Sequence, residues 1–404
     1  MKLTVLPEEF RRALPVMEKI EQAGYEAYFV GGSVRDVLLG QPIHDVDIAT
    51  SGFPAEIKEI FPRTVDIGIE HGTVLVLYQE DQYEVTTFRT ESTYQDFRRP
   101  DHVAFVRSLE EDLKRRDFTI NAFAVQEDGT VIDLFGGLQD LEQRILRAVG
   151  NPHERFHEDA LRMMRGLRFV SQLGFVFETE TFEAIVENHA LLEKISIERV
   201  FIEFTKLLLG SHRNEAMKQF VATGCFEYCP GMATSKEHLL QFAGLIPDPF
   251  LSETAGWSVL LDHLAVPDGQ IGHFLKAWKV SNEFLRECRE LVWGLRQRRK
   301  GYYTPMALYR LGDLALKVET LLSYYGRPGE TDKTAEALAK LPIRSLRELA
   351  VNGKDVMAAC QQKAGPWLKE TLAYLEQAVV EGRLVNDKTA LLNAAVAYLP
   401  EILD

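Results

Sequence analysis

Two aspartates, Asp45 and Asp47, form the first arrangement in the chain that could carry out chemistry. They lie two residues apart in HDVDIAT, a segment whose later residues favour a β-strand. If both lie in that strand, their side chains point to the same face, about 6.5 Å apart along it. Carboxylate oxygens at that spacing suit Mg²⁺, and two such ions can activate a hydroxyl and stabilise a leaving group. An isolated pair is more often an exposed acidic turn, so the preceding residues decide between the two interpretations.

A glycine-rich turn, GGSVRD, precedes the aspartates. Gly31 and Gly32 follow the apolar run YFV and open a predicted helix, for which Ser33 is the expected N-cap and Gly40 the stop. Glycine lets backbone N–H groups approach a ligand closely, and the start of a helix favours an anion. Arg35 could add charge-assisted bonds to a phosphate. Any tight turn from strand to helix could look similar, so on its own this segment leaves both interpretations open.

A third set of candidates lies in HEDALRMMRGLRFVSQLG, which is predicted to form one amphipathic helix. Its charged residues are Glu158, Asp159, Arg162, Arg165 and Arg168. Asp159 and Arg162 are three residues apart, so they are expected to be neighbours on the helix surface. A carboxylate only accepts hydrogen bonds and a guanidinium only donates them, which suits the pairing edges of cytosine and adenine and repels those of guanine and uracil. The alternative is an ordinary surface Asp–Arg pair.

The composition is that of a folded protein with several hydrophobic cores: 404 residues, 46% hydrophobic and 26% charged. The net charge of −14 comes mainly from residues 1–150, which carry 16 basic and 27 acidic residues. The remainder is close to neutral, so a nucleic acid would bind with modest affinity. No apolar run suits a membrane helix, MKLTVLPEEF does not resemble a signal peptide, and four cysteines make no disulfide framework. We therefore expect a cytoplasmic protein without membrane contact.

The pattern of elements changes near residue 150. Before it, short β-rich runs such as AYFVGG and TVLVLY alternate with helical stretches, beginning with a helix over residues 8–23. After it, segments with helical periodicity dominate. The predicted organisation is an α/β head over 1–150, a helical neck with base recognition over 151–225, a helical body over 226–300 and a helical tail over 301–404.

Several motifs together resemble one enzyme family. GGSVRDVLLG and HDVDIAT are similar to the signature of polymerase-β-type nucleotidyltransferases, and more narrowly to the tRNA nucleotidyltransferase and poly(A) polymerase family of bacterial class II type. YEVTTFR, LEEDLKRRDFTINAFA, DLFGGLQDL and HEDALRMMRGLRF continue the match, which covers residues 28–170 almost without gaps. The resemblance implies an α+β fold: a polymerase-β-like nucleotidyltransferase head with a mixed sheet and helices, followed by an all-α C-terminal part.

The resemblance also implies roles for individual residues. Asp45 and Asp47 would be ligands of the Mg²⁺ cofactor, with Glu84 as a further catalytic carboxylate, although Glu84 could equally be a surface glutamate. The implied nucleotide contacts are Gly32, Arg35 and Arg116 to phosphate, Asp117 to the ribose 2′ hydroxyl, Asp159 and Arg162 to the base, and Arg165 and Arg168 elsewhere on the nucleotide. The alternative for Lys114, Arg115 and Arg116 is a solvated basic patch.

The activity implied by the resemblance is addition of CCA to the 3′ end of tRNA, without a nucleic-acid template, from CTP and ATP. The partners would be the tRNA acceptor arm and the two nucleotides, and the family also implies a homodimer. Alternatives are an A-adding or CC-adding enzyme, a poly(A) polymerase, and an inactive RNA-binding module. Against the last, all three acidic candidates are present; against the polymerase, residues 301–404 carry 12 basic and 13 acidic residues, with no strongly basic extension.

Two further segments carry expectations. Residues 89–106, with Asp96, Arg98 and Arg99, resemble the flexible loop that family members need to add the final A. A basic and aromatic cluster could follow an RNA backbone or could be a solvated helix end. This basic–aromatic cluster consists of Arg296, Arg298, Arg299, Lys300, Tyr302 and Tyr303.

Overall fold

A computed structural model describes residues 1–68, 71–91 and 103–403. The chain divides into two compact units, Met1–Ala243 and Gly244–Asp404. The finer division into head, neck, body and tail stays a prediction. The predicted loop residues Asp96, Arg98 and Arg99 lie outside the described residues.

The first unit is built around one mixed sheet. The strands of this unit are β1 Ala27–Val30, β2 Asp47–Thr50, β3 Thr64–Gly68, β4 Thr73–Tyr78, β5 Asp81–Thr87, β6 Arg89–Glu91, β7 Val103–Phe105, β8 Phe123–Val125, β9 Val131–Asp133, β10 Ile145–Leu146 and β11 Val176–Phe177. Seven of them form the sheet, in the order β3-β4-β5-β2-β1-β8-β9. β2 and β5 run parallel, and the other neighbours in this sheet are antiparallel. The predicted mixed sheet is thereby confirmed.

The two faces of this sheet have different roles. The helices of the head are α1 Glu8–Gln22, α2 Gly32–Leu38, α3 Pro54–Ile60, α4 Leu109–Lys114 and α5 Gly137–Gln143. The helix predicted over residues 8–23 is therefore confirmed as α1. Its apolar stripe is buried, and Phe10 stacks on Phe29 of β1 with ring centroids 4.1 Å apart. Because side chains alternate along a strand, Val30 points to the opposite face, where it packs with Ala49 and Phe88.

The helices that complete the first unit are α6 Pro152–Glu158, α7 Leu161–Leu173, α8 Thr179–Asn188, α9 Ile197–Leu209, α10 Arg213–Ala222 and α11 Lys236–Phe242. The prediction of one helix through Glu158 and Arg162 is wrong. α6 ends at Glu158, and Asp159 has extended backbone angles, φ −140° and ψ 103°. The Asp159 carboxylate accepts a hydrogen bond from the backbone N–H of Leu161 (3.0 Å), the first residue of α7. Aspartate favours helix ends because its side chain can bind the backbone in this way.

The second unit is helical throughout its regular elements. They are α12 Glu253–His263, α13 Asp268–Ala277, α14 Asn282–Lys300, α15 Pro305–Leu311, α16 Leu314–Leu321, α17 Thr331–Ala339, α18 Gly353–Cys360, α19 Pro366–Val380 and α20 Lys388–Leu403. Trp257 and Trp278 pack edge to face in its core, with ring centroids 4.8 Å apart. The predicted all-α C-terminal part is confirmed. Within the described ranges, no helix is both long and apolar enough to cross a membrane.

The predicted basic–aromatic cluster lies at the end of α14, and its arginines are bound internally. Arg296 and Arg299 both pair with Asp262, at 3.1 and 2.7 Å. Arg298 pairs with the fully buried Glu319 at 2.8 Å. A buried carboxylate needs such partners. These arginines therefore stabilise the second unit. Their ion pairs to Asp262 and Glu319 weaken the interpretation that the cluster follows an RNA backbone.

Candidate active site

A cavity of about 790 Å³ opens on the face of the sheet that α1 does not cover. The predicted site residues in its lining are Gly32, Arg35, Asp47, Glu84, Arg116, Asp117, Asp159, Arg162, Arg165 and Arg168. Asp45 does not line it; it is exposed, two residues before β2 begins. The structure thus brings together candidates that are more than 130 residues apart in sequence, from Gly32 to Arg168.

Asp47 and Glu84 are neighbours across two parallel strands. The register of β2 and β5 pairs Asp47 with Glu84, which places both side chains on the same face, about 4.8 Å apart. The prediction that Asp45 and Asp47 share a strand is wrong, because β2 starts at Asp47. The side-by-side carboxylates at the centre of the site therefore come from two strands, with Asp45 in the approach to one of them.

The electrostatics of this pair favour a cation. Burial and the charge of Glu84 raise the pKa of Asp47, Asp45 adds to the effect, and Arg116 opposes it. Within the described parts of the chain, no three acidic, histidine or cysteine side chains converge to hold a metal ion by themselves. Mg²⁺ is commonly bound by one or two carboxylates, with water and substrate phosphate as its other ligands. Two adjacent carboxylates at a half-open cavity fit that pattern.

The glycine turn approaches these carboxylates closely. Gly31 has a positive φ of 74° and precedes α2 as its N-cap. A Cβ at Gly31 would lie 3.3 Å from Asp47 Oδ2 and 3.5 Å from Arg116 Nη1, so this position needs glycine for both reasons. The prediction of Ser33 as N-cap is wrong: it lies within α2 and donates its hydroxyl to the carbonyl of Val30 (3.0 Å).

Arg35 is held rigidly beside this turn. Its Nη2 donates to Asp36 Oδ1 at 2.7 Å, and its Nη1 donates to Asn121 Oδ1 at 2.8 Å. The guanidinium also lies over the ring of Phe169, 5.2 Å from its centroid. These contacts fix one positive charge next to the start of α2, where an anion is already favoured.

Arg116 is positioned by a carboxylate beneath the cavity. Its Nη2 donates to Asp112 at 3.1 Å and its Nη1 to the carbonyl of Asn121 at 3.3 Å. Burial disfavours a charge on Asp112, but Arg116 and Arg115 outweigh it and hold the pKa of that carboxyl below its ordinary value. The Nε of Arg116 is buried and has no hydrogen-bond partner among the described residues. Arg116 also lines the cavity, so its charge is available to an anionic ligand.

Asp117 is the first member of a series of ion pairs. It accepts from Arg165 Nε at 2.8 Å and from the side chain of Asn121 at 3.2 Å. Burial opposes its ionisation, but Arg165 lowers the pKa of Asp117 far below its ordinary value. The series continues from Arg165 to Glu203 (3.7 Å) and from Glu203 to Arg168 (2.6 Å). The carboxylate of Asp117 therefore stays charged at any working pH.

Asp159 and Arg162 are each fixed by a different partner. Asp159 Oδ2 accepts from Arg199 Nη2 at 2.8 Å, while its Oδ1 accepts from the backbone of Leu161. Arg162 is buried and donates to Glu158 at 2.6 Å and to the carbonyl of Arg115 at 2.8 Å. Both side chains reach the same cavity, although Asp159 lies in the break between α6 and α7 and Arg162 lies in α7.

Three family profiles match the chain. The family described as Poly A polymerase head domain matches residues 27–147. Residues 174–235 match the one described as Probable RNA and SrmB- binding site of polymerase A, and residues 249–395 match tRNA nucleotidyltransferase domain 2. The first covers the sheet and the carboxylate pair.

Full-length relatives decide the family. The CCA-adding enzyme of Enterococcus faecalis is 56% identical over 98% of both chains. The CCA-adding enzyme of Streptococcus pneumoniae is 50% identical over 99% of this chain and 100% of the relative. The chain belongs to the CCA-adding enzyme family. The family resemblance found in the sequence is thereby confirmed.

Solved structures of the family agree with this fold. That of the Bacillus stearothermophilus CCA-adding enzyme in complex with CTP is 43% identical, with a TM-score of 0.89 and 98% of both chains covered. A tRNA nucleotidyltransferase complexed with a primer tRNA and an incoming ATP analog is 26% identical, with a TM-score of 0.59, over 80% of this chain and 98% of the other. The head with its mixed sheet and the helical C-terminal part are those of the CCA-adding enzyme family.

Several residues that hold the site were not predicted from the sequence. Asp112 and Asn121 lie in LEEDLKRRDFTINAFA, so their presence in a quoted motif was an available signal. Arg199 and Glu203 come from α9, which packs on α7. Nothing in their local sequence connects them with Asp159 or Arg168, because that relation arises only when the helices pack.

Proposed function

We propose that this chain adds CCA to the 3′ end of tRNA, without a nucleic-acid template, using CTP and ATP and releasing pyrophosphate. The observation that carries the proposal is that three groups line one cavity. They are the carboxylate pair Asp47 and Glu84, a cationic wall formed by Arg35 and Arg116, and Asp159 with Arg162. The near full-length relatives named as CCA-adding enzymes, and the solved relatives with CTP or with primer tRNA, support the same activity.

Asp47 and Glu84 would hold Mg²⁺, and Asp45, whose charge also acts on Asp47, stays a proposed further ligand. The ion would polarise the phosphate and lower the pKa of the attacking hydroxyl. Burial and then the charge of Glu84 raise the pKa of Asp47, which supports this assignment because a bound cation would favour the charged carboxylate. In the reaction, the 3′ hydroxyl oxygen of the RNA forms a bond to the α-phosphorus of the nucleotide, and the bond to pyrophosphate breaks.

The cationic wall would bind the triphosphate. Gly32 begins α2, and Arg35 is locked beside it by Asp36 and Asn121. Arg116 lines the same cavity and supplies a further positive charge, held in place by Asp112. Because these groups are already fixed by other contacts, little order is lost when phosphate binds. We propose that Asp117, charged and held by Arg165, accepts the ribose 2′ hydroxyl, with Arg165 and Arg168 as further nucleotide contacts.

Asp159 and Arg162 would select the base. Each oxygen of a carboxylate has two acceptor sites, so Asp159 can accept an amino group while it remains bound to Arg199 and Leu161. Arg162 can only donate, so it requires an acceptor on the base. Cytosine and adenine present an amino donor beside a ring acceptor, whereas uracil and guanine present the reverse and would leave polar groups unpaired.

The homodimer that the family resemblance implies stays a prediction.

The test uses tRNA transcripts that end before CCA, after the first C, and after CC. Each is incubated with Mg²⁺ and all four nucleotides, and the 3′ ends are sequenced. A single CCA end on every transcript supports the proposal. Extension of the CC transcript alone would identify an A-adding enzyme, long A tails would identify a poly(A) polymerase, and no extension would leave an RNA-binding module. Asp47→Asn is the inactive control.

A further inference from the structure

The parts of the site follow one another across the sheet. Gly31 follows β1, Asp47 lies on β2, Glu84 on β5, and the next strand is β4. Neighbouring strands are about 4.8 Å apart, so β4 lies about 10 Å from Asp47, on the side away from the glycine turn. Across the sheet, the proposed phosphate-binding groups thus lie on one side of Asp47 and Glu84, and β4 lies on the other side.

A pair of threonine hydroxyls lies at the β4 end. Thr73 of β4 is paired with Thr86 of β5, and both line the cavity on the same face as Glu84. Their hydroxyl oxygens are 3.0 Å apart. One hydroxyl donates to the other, and that second hydroxyl has no further partner for its hydrogen among the residues that the structure describes. The pair therefore presents one free donor and several acceptor sites to the cavity.

The position of this pair corresponds to the RNA side of the reaction. In an in-line transfer, the attacking oxygen and the leaving pyrophosphate lie on opposite sides of the α-phosphorus. If Asp47 and Glu84 mark that phosphorus and the glycine turn marks the pyrophosphate, the RNA 3′ end must approach from the side of β5 and β4. The groups it meets there include the hydroxyls of Thr73 and Thr86, with His71 and Arg89 on the same side of the cavity.

We propose that the hydroxyl pair of Thr73 and Thr86 binds the ribose of the 3′-terminal nucleotide of the RNA, through its 2′ hydroxyl. This inference rests on the proposed function. A 2′ hydroxyl both donates and accepts, as the threonine pair does, and it distinguishes RNA from DNA. The pair acts as a positioning site: it holds the ribose so that the neighbouring 3′ hydroxyl faces the carboxylate pair.

The experiment combines a change in the enzyme with a change in the RNA. Thr73→Val and Thr86→Val each remove a hydroxyl with little change of shape. The RNA is a tRNA transcript whose 3′-terminal nucleotide carries either a 2′ hydroxyl or a 2′ hydrogen. The apparent KM for RNA is measured at saturating CTP, and the KM for CTP at saturating RNA. Thr64→Val is the matched control, because Thr64 pairs with Val76 and so faces the other side of the same sheet.

For the unchanged chain and the Thr64→Val control, loss of the 2′ hydroxyl should raise the KM for RNA about two- to tenfold, as expected for one hydrogen bond. In Thr86→Val and Thr73→Val this ratio should fall towards one, with the KM for CTP unchanged. The same ratio in all four proteins, or a rise in the KM for CTP, would overturn the inference. A chain that extends neither transcript would instead refute the proposed function.

Discussion

Arg199→Met tests how Asp159, the carboxylate proposed to select the base, is held. Arg199 lies on α9, and its Nη2 donates to Asp159 Oδ2 at 2.8 Å. Without this bond, Asp159 keeps only its contact to the backbone of Leu161, so its carboxylate can turn away from the base. CTP then loses a partner for its amino group. UTP, whose carbonyl the fixed carboxylate is proposed to repel, loses an obstacle, so the change should act on discrimination more than on turnover.

The magnitude follows from the exposure of the pair. The side chains of Arg199 and Asp159 are 32% and 17% exposed, between a surface ion pair and a buried charged hydrogen bond. Surface pairs contribute about 0.2–1 kcal/mol and buried charged hydrogen bonds about 1.5–3 kcal/mol. A value of about 1–1.4 kcal/mol is therefore expected, which corresponds to a five- to tenfold loss of discrimination, with about 1.4 kcal/mol for each factor of ten.

The assay compares kcat/KM for CTP and for UTP on a tRNA transcript that lacks CCA. Lys206→Met is the matched control, since Lys206 is an exposed cation of the same helix. The ratio of the two constants should fall in Arg199→Met and stay unchanged in Lys206→Met. Equal losses for CTP and UTP in Arg199→Met would refute the reasoning, because they would show that Arg199 serves the fold and not the choice of base.

Three other substitutions have expected outcomes. Asp47→Asn should abolish nucleotide incorporation, yet raise the metal-free melting temperature, because burial and the neighbouring charge of Glu84 disfavour the charged form of Asp47 in the folded chain; a lower melting temperature would contradict this. Arg298→Ala should lower the free energy of unfolding by about 3 kcal/mol, since it strips the buried Glu319 of its cation, whereas the exposed Lys300→Ala should be neutral in the same denaturant titration. Gly166→Ala gains about 1 kcal/mol of helix propensity but places a Cβ 2.8–2.9 Å from two phenylalanine rings, so calorimetry should show net destabilisation.

The parts of the fold with a local cause were predictable from the sequence. The turn at Gly31 and the helix after it follow from glycine, an apolar stripe and a stop signal within ten residues. The mixed sheet followed by helices is evident in the change from two-residue to helical periodicity near residue 150. These features depend on neighbouring residues, which a single sequence displays directly.

The ends of helices were harder to predict from the sequence. The periodicity of HEDALRMMRGLRF favours one helix, but Asp159 is the C-cap of α6, and its carboxylate accepts the N–H of Leu161, the first residue of α7. Capping competes with helix continuation by only about 1 kcal/mol, so packing of the two helices can decide between them. At Ser33 a residue that favours the N-cap position lies inside the helix. Gly31 is the N-cap of α2, because a side chain at that position would come within 3.3 Å of Asp47, and Ser33 donates to the carbonyl of Val30.

Contacts between residues that are distant in the sequence could not be predicted from it. The pairing of Asp47 with Glu84 is a matter of strand register, and that of Asp159 with Arg199 is a matter of helix packing. The arginines of the basic–aromatic cluster look free in the sequence because Asp262 and Glu319, which bind them, lie 21 to 37 residues away. A charge run shows that partners are needed without showing whether they are RNA or protein.

The central claim is that Asp159 and Arg162 replace a nucleic-acid template, and the double variant Asp159→Ala with Arg162→Ala tests it most directly. Incorporation of all four nucleotides is measured on the transcript that lacks CCA, and tripolyphosphate competition reports the phosphate site separately. We predict that discrimination of CTP and ATP against UTP and GTP falls about 100-fold, since two hydrogen-bonding partners of about 1–2 kcal/mol each are lost. Tripolyphosphate should inhibit the variant as well as the unchanged chain. Discrimination that survives in a folded double variant would contradict the account.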